Sequence, residues 1–132
     1  MDDELEEIKR RKLERMMEEL TEREEVISSP ITLTDSSFDG VIAKYPLVVI
    51  DCWATWCAPC RMIAPTIDAM AKDYAGRIVF GKLNVDENPI ISRRYRIMSI
   101  PTLLIFKDGR LVDQIVGAVP REIIEQTLRR YM

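Results

Sequence analysis

Two cysteines three positions apart are the residues of this chain most clearly suited to chemistry. Cys57 and Cys60 enclose Ala58 and Pro59 in the run 53–60 (WATWCAPC), between a β-branched apolar segment and a segment of helical periodicity. Because residues i and i+3 lie on one helix face, the two sulfurs can close a small disulfide ring. The first cysteine then lies at the positive end of the helix dipole, which favours its thiolate.

This arrangement predicts thiol–disulfide exchange. The Cys57 thiolate attacks a substrate disulfide, and Cys60, further into the helix and more shielded, attacks the mixed disulfide to release reduced product. Pro59 stiffens the loop between them. A zinc site is another interpretation, but one CxxC motif and no histidine make too small a ligand set for an intramolecular structural site. We expect no metal and no cofactor.

Composition excludes several other kinds of protein. The 132 residues, 47% of them hydrophobic, suit one ordinary domain with a substantial core. The absence of histidine removes Ser-His-Asp and Cys-His catalysis. The net charge of -3, without a basic patch, argues against a nucleic-acid partner.

Cysteine usage and the amino terminus predict a cytoplasmic protein. Three cysteines are too few, and odd in number, for a disulfide-stapled secreted scaffold, whereas a CxxC pair suits redox work in a reducing compartment. The opening residues 1–4 (MDDE) lack the positive charge and apolar run of a secretory signal. No apolar stretch reaches membrane-spanning length, so we expect no membrane association.

Residues 1–27 differ from the rest, with 11 acidic and 6 basic side chains and no glycine, proline, cysteine or aromatic residue. They predict an appended amphipathic helix, stopped by Pro30, so that residues 1–29 form a helix and linker and residues 30–132 a separate domain. The helix can pack on its own domain, pair with a second copy or a partner, or stay a solvated tail. Its apolar residues recur at three- or four-residue intervals, interrupted by Lys12: Leu5, Ile8, Leu13, Met16, Met17, Leu20 and Ile27.

After this break, short β-rich runs alternate with helical patterns, as in a sheet with crossover helices. Asp35 or Ser36 is expected to cap the first of these helices, and Asn88 a later one. The pair Asp108-Gly109 predicts a hairpin turn. The predicted strands are 31–34, 47–53, 78–85, 102–106 and 111–116, and the predicted helices 36–44, 60–74, 89–95 and 120 onward.

Four motifs in order resemble those of the thioredoxin family over residues 31–132. The resemblance implies an α/β thioredoxin fold, a central mixed β-sheet flanked by helices, here with an extra N-terminal helix. It also implies a protein-disulfide reductase that serves as an electron carrier in cell redox homeostasis. The motifs are 56–61 (WCAPCR) after Asp51, 82–86 (KLNVD), 100–102 (IPT) and Gly117-Ala118.

The resemblance also implies roles for residues away from the cysteines. Asp51 is the buried carboxylate behind the dithiol that exchanges protons with Cys60, and Lys82 is its charge partner. Burial disfavours ionisation of such a carboxylate while a nearby ammonium favours it, so its proton affinity can approach the working pH. The alternative is a structural aspartate at a strand end.

Pro101 corresponds to the family's cis-proline, which faces the dithiol and presents adjacent backbone to an extended substrate. A shallow apolar surface around it would receive the substrate segment. Core packing is an equally good explanation for most of its residues. They are Trp56, Ala58, Pro59, Val85, Ile100, Val116, Gly117 and Ala118.

Two positions depart from the family pattern. Ala58 stands where the most familiar members have glycine, and residues between the cysteines tune the reduction potential. Cys52 replaces a common aromatic residue, and we interpret it as a small core hydrophobe on the strand face opposite Asp51.

The leading hypothesis is therefore a general reductase of disulfide-containing proteins, reduced in turn by a separate electron donor of the thioredoxin reductase type. A separate donor is expected because the chain has no glycine-rich nucleotide motif. An oxidase or isomerase would need a higher potential and an oxidising compartment. The alternative from another class is a non-catalytic binding or assembly module on the same fold.

Overall fold

The computed structural model describes residues 2–24 and 26–132. Positions 1 and 25 of the predicted N-terminal helix, and the side chain of Leu20, lie outside this described part. The helices are α1 (Asp2–Glu24), α2 (Phe38–Lys44), α3 (Ala58–Asp73), α4 (Pro89–Arg94) and α5 (Arg121–Arg129). The strands are β1 (Ile31–Leu33), β2 (Leu47–Trp53), β3 (Val79–Asn84), β4 (Thr102–Lys107) and β5 (Arg110–Val116).

The five strands form one mixed sheet in the order β1-β3-β2-β4-β5. β1, β3 and β2 run parallel, and β4 and β5 are antiparallel to their neighbours. Parallel neighbours require crossover connections, which α2 and α3 provide. The predicted α/β class and mixed sheet are confirmed.

Side chains of β2 alternate between two core layers because successive residues of a strand point to opposite faces. Val49 packs with α3 and α5 on one face, whereas Val48 and Ile50 pack with α2 and α4 on the other. Six of the seven β2 residues are buried, so the strand is covered on both faces. Asp51, at the next position on the α3 face, is thereby placed in the interior.

The predicted hairpin between β4 and β5 is confirmed. Asp108 and Gly109 both have positive φ, 50° and 81°. Two successive residues with positive φ give a turn whose twist matches that of the flanking strands, and a glycine takes this conformation without steric cost.

The expected cap of α2 is wrong. The helix begins at Phe38, with Ser37 rather than Asp35 or Ser36 at the N-cap position. The Asp35 carboxylate instead accepts the backbone N–H groups of Ile90 and Ile91, at 3.2 and 2.9 Å. Asp35 therefore caps α4, which lies more than fifty residues further along the chain.

Asn88 occupies the expected N-cap position of α4, but its side chain serves another purpose. Its amide NH₂ donates to the Asn84 carbonyl at 3.0 Å, and its amide oxygen accepts from the Asp35 N–H at 2.9 Å. Asn88 thus ties the loop after β3 to the segment after β1, and Asp35 completes the cap.

Candidate active site

The dithiol lies at the start of α3, shortly after the end of β2. Cys57 is the N-cap residue of α3 with extended backbone, and Pro59 stands in the first turn, where a missing N–H costs nothing. The Cys57 sulfur accepts the Cys60 N–H at 3.2 Å, so it receives one of the free donors at the helix start. The helix therefore begins at Ala58, two residues earlier than periodicity predicted.

Cys57 and Cys60 are joined by a disulfide, with their Cα atoms 5.3 Å apart. Each cysteine is 3% exposed, so the exposure of the whole residue does not distinguish them, and the greater shielding of Cys60 stays a prediction. The two differ in position instead. Cys57 lines a surface groove, and its sulfur lies 3.7 Å from the Ile100 carbonyl oxygen, whereas Cys60 lies one helical turn into α3.

Asp51 is a buried carboxylic acid, 1% exposed. Among the described residues, neither of its oxygens has a hydrogen-bond partner. Burial raises the pKa of Asp51 from 3.8 to about 6; the charge of Lys82 opposes this rise, and that of Asp68 adds to it. Its carboxyl group can therefore gain or lose a proton near neutral pH.

Lys82 lies directly across from Asp51 in the β2–β3 register. Its ammonium lies 5.8 Å from the centre of the Trp53 ring, within reach of the ring's negative face. The positive charge of Lys82 also acts on Asp51, where it lowers the pKa of the carboxyl group.

Cys52 belongs to the opposite face of β2. It is fully buried with Val48 and Ile50, and burial together with the charge of Asp51 raises the pKa of its thiol. A thiol held in its protonated form away from solvent is a poor nucleophile. Cys52 is a core residue, as expected from its position.

The Ile100–Pro101 peptide bond is cis, as the resemblance implied. The Pro101 carbonyl accepts the Gly117 N–H at 2.8 Å. Thr102 fixes the other side of the loop, because its hydroxyl donates to the Ser99 carbonyl at 2.6 Å. These bonds hold the segment before β4 close to Cys57.

A groove of about 610 Å³ opens beside the dithiol. It brings together five of the eight residues predicted for substrate binding: Trp56, Ala58, Pro59, Val85 and Ile100. The predicted residues Val116, Gly117 and Ala118 stand outside its lining, although Gly117 is bonded to Pro101. Ile97, Met98 and Ser99 line the groove and were missed by the sequence analysis.

Trp56 is the large aromatic side chain of the groove, 68% exposed. Its indole N–H donates to the Asp86 carboxylate at 2.8 Å, which fixes the ring. Asp86 was missed as a site residue, although it ends the motif 82–86; a partner thirty residues from Trp56 leaves no local signal.

Within residues 2–24 and 26–132, no group of three or more histidine, cysteine, aspartate or glutamate side chains could hold a metal ion. In the same part of the chain, no helix is both long and apolar enough to cross a membrane.

Comparisons with known proteins agree with this geometry. The thioredoxin family pattern matches residues 29–130. Thioredoxin 1 of Nostoc sp. is 46% identical over 107 residues, which cover 80% of this chain and 100% of that protein. The thioredoxin of Porphyra purpurea is 48% identical over 101 residues, which cover 76% of this chain and 94% of that protein.

A solved structure shows the same fold. A mutant thioredoxin from Halobacterium salinarum superposes with a TM-score of 0.74 at 28% identity, over 79% of this chain and 91% of that one. The relatives and the Cys57–Cys60 pair together make this protein a dithiol–disulfide oxidoreductase that reduces protein disulfides. The chain belongs to the thioredoxin family.

Proposed function

We propose that Cys57 is the attacking thiol and Cys60 the resolving thiol of this reductase. The observation that carries the proposal is the position of Cys57, at the N-cap of α3 and on the wall of the groove. A sulfur there receives a backbone N–H and the positive end of the helix, both of which favour its thiolate.

The Cys57 thiolate forms a bond to one substrate sulfur, and the other substrate sulfur leaves as a thiolate. Cys60, as thiolate, then attacks the Cys57 sulfur, which breaks the mixed disulfide and forms the Cys57–Cys60 disulfide. The substrate gains two electrons, and its two thiolates take up two protons.

Asp51 takes the proton that Cys60 loses. The positive charge of Lys82 limits the rise in the pKa of Asp51 and so favours its carboxylate form. Two features support these roles. The pKa of Asp51 is raised to about 6 by burial, and Asp51 lies on the face of β2 that packs against α3, the helix that carries Cys60. The carboxyl group acts here as a general base.

The loop at Pro101 presents the Ile100 backbone to an extended substrate segment. The carbonyl of Ile100 is 3.7 Å from the Cys57 sulfur, so a chain held there would bring its half-cystine close to the attacking atom. Trp56, Ala58, Pro59 and Val85 form the apolar walls. Val116, Gly117 and Ala118 extend this surface beyond Pro101.

Residues 30–132 act as the redox unit, and residues 1–29 as an appended helix and linker. A separate donor of the thioredoxin reductase type regenerates the dithiol in the cytoplasm. The buried, unpaired Cys52 and the solitary CxxC pair support a reducing compartment.

The experiment is to trap the mixed disulfide. Cys60→Ser should accumulate a covalent adduct between Cys57 and a disulfide peptide, visible by mass spectrometry and released by dithiothreitol, because the resolving thiol is gone. Cys57→Ser is the matched control and should form none. An adduct formed by Cys57→Ser, and not by Cys60→Ser, would reverse the two roles.

A further inference from the structure

Met98 is a large apolar side chain held in water at the edge of the groove. It is 94% exposed, and its neighbour Ile97 is half-buried against the core layer of α2 and α4. Ile100 is half-buried against the cysteines. Packing within the fold therefore accounts for Ile97 and Ile100, and it does not account for Met98.

The lining of the groove, drawn from the described residues, is uncharged: Trp56, Cys57, Ala58, Pro59, Val85, Ile97, Met98, Ser99 and Ile100. A substrate carboxylate placed there would lose water without gaining a cationic partner among these residues, which is unfavourable. An apolar side chain would instead remove apolar surface of both molecules from water.

We propose that Met98 is a specificity-determining residue, which contacts an apolar side chain flanking the half-cystine that Cys57 attacks. This inference rests on the proposed function, because it assigns the substrate class of the same groove. Methionine is unbranched and flexible, so the contact favours apolar side chains of several shapes over any charged one.

The test compares two disulfide peptides that differ only in the residues flanking the half-cystine on both sides, leucine in one and glutamate in the other. The quantity measured is the ratio of their kcat/KM values. The unmodified chain should prefer the leucine peptide. Met98→Ala should lower this ratio about fivefold, since it removes most of the apolar contact. Met98→Lys should lower it further, because its ammonium would attract the glutamate peptide.

Met62 provides the matched control. It is 75% exposed and lies two residues after Cys60, outside the groove lining. Met62→Lys adds the same charge at another exposed methionine, outside the groove, and should leave the ratio unchanged. Circular dichroism should show Met98→Lys folded, because so exposed a side chain contributes little to the core.

Three results would overturn the inference. If Met98→Lys is active and its kcat/KM ratio equals that of the unmodified chain, Met98 is not the determinant. The same holds if Met62→Lys shifts the ratio as much as Met98→Lys does. Either result leaves the reductase function intact. A chain that reduces neither peptide, and behaves like Cys57→Ser, defeats the proposed function, and the inference falls with it.

Discussion

Asp51 is a carboxylic acid without a hydrogen-bond partner among the described residues, in a strand covered on both faces. Such a group is costly when ionised, which is why its pKa rises to about 6. The same burial that makes Asp51 a proton acceptor near neutral pH therefore destabilises the folded chain at that pH. Function and stability are opposed at this residue.

Asp51→Asn should reveal this opposition as a pH-dependent gain in stability. Below the unfolded pKa of 3.8, Asp51 is protonated and does not destabilise the fold. As pH rises through the folded pKa of about 6, Asp51 ionises and this stability is lost. This rise in the pKa of Asp51 corresponds to about 3 kcal/mol, which is an upper value for the stability that Asp51→Asn gains at pH 8. Urea unfolding at pH 4, 6 and 8 measures it.

The difference between Asp51→Asn and the unmodified chain should grow with pH. Glu122→Gln, on the exposed surface of α5, is the control. The difference in stability between Glu122→Gln and the unmodified chain should not grow with pH. A gain for Asp51→Asn of equal size at pH 4 and pH 8 would mean that ionisation of Asp51 is not its cause.

Among the elements, α4 is only six residues long and depends on a cap from elsewhere in the chain. Asp35 supplies it from the segment between β1 and α2, by accepting the N–H groups of Ile90 and Ile91. A helix this short is not stable by itself, so its position depends on these bonds and on the burial of Ile91.

Asp35→Ala should lower the free energy of unfolding by about 1–2 kcal/mol, the usual cost of losing a helix cap. Ser36→Ala is the matched control, because its hydroxyl bonds only to the exposed Thr34 hydroxyl at 3.0 Å in the described structure. It should change the free energy by less than about 0.5 kcal/mol. Equal losses in the two variants, measured by urea unfolding, would show that the cap is not what matters.

Elements whose signals are local were predictable from the sequence. β2 has the predicted bounds Leu47–Trp53, and the turn at Asp108-Gly109 is where the dipeptide indicates. The side-chain cap that Asp35 gives α4 was not predictable, because Asp35 reaches residues more than fifty positions away. The exposed edge of the groove at Met98 was missed for the same reason, since exposure depends on what the fold brings nearby.

At the scale of the whole molecule, the described side chains of α1 are exposed. Its residues Leu5, Ile8, Leu13 and Met16 are each more than half exposed, so the described part of the helix does not bury its apolar stripe on the fold. This argues against the first of the three predicted interpretations. Pairing with a second copy or partner, and a solvated helix, stay as hypotheses.

Val26, which follows α1 in the chain, lies at the end of the sheet opposite the dithiol. Val26 approaches Gly76, in the turn that precedes β3, and β3 is parallel to β2. The start of β3 therefore lies beside the start of β2, whereas Cys57 follows the end of β2. The strand length separates the two ends of the molecule.

Deleting residues 1–29 should consequently leave kcat/KM for a disulfide peptide unchanged. Sedimentation equilibrium of both forms tests pairing: if a second copy covers the stripe, the full chain gains mass with concentration and residues 30–132 do not. A large loss of activity on deletion would contradict the separation of α1 from the redox unit.

Cys57 and Cys60 should form a reversible, reducing two-electron couple. The most direct measurement is its reduction potential, by equilibration with a defined thiol buffer, with Cys57→Ser as control. We predict a potential more negative than about -220 mV, in the range of the cytosolic glutathione pool or below it, and no couple in the control. A much more oxidising value would indicate disulfide formation or isomerisation, and the absence of any couple in the unmodified chain would leave only a binding module.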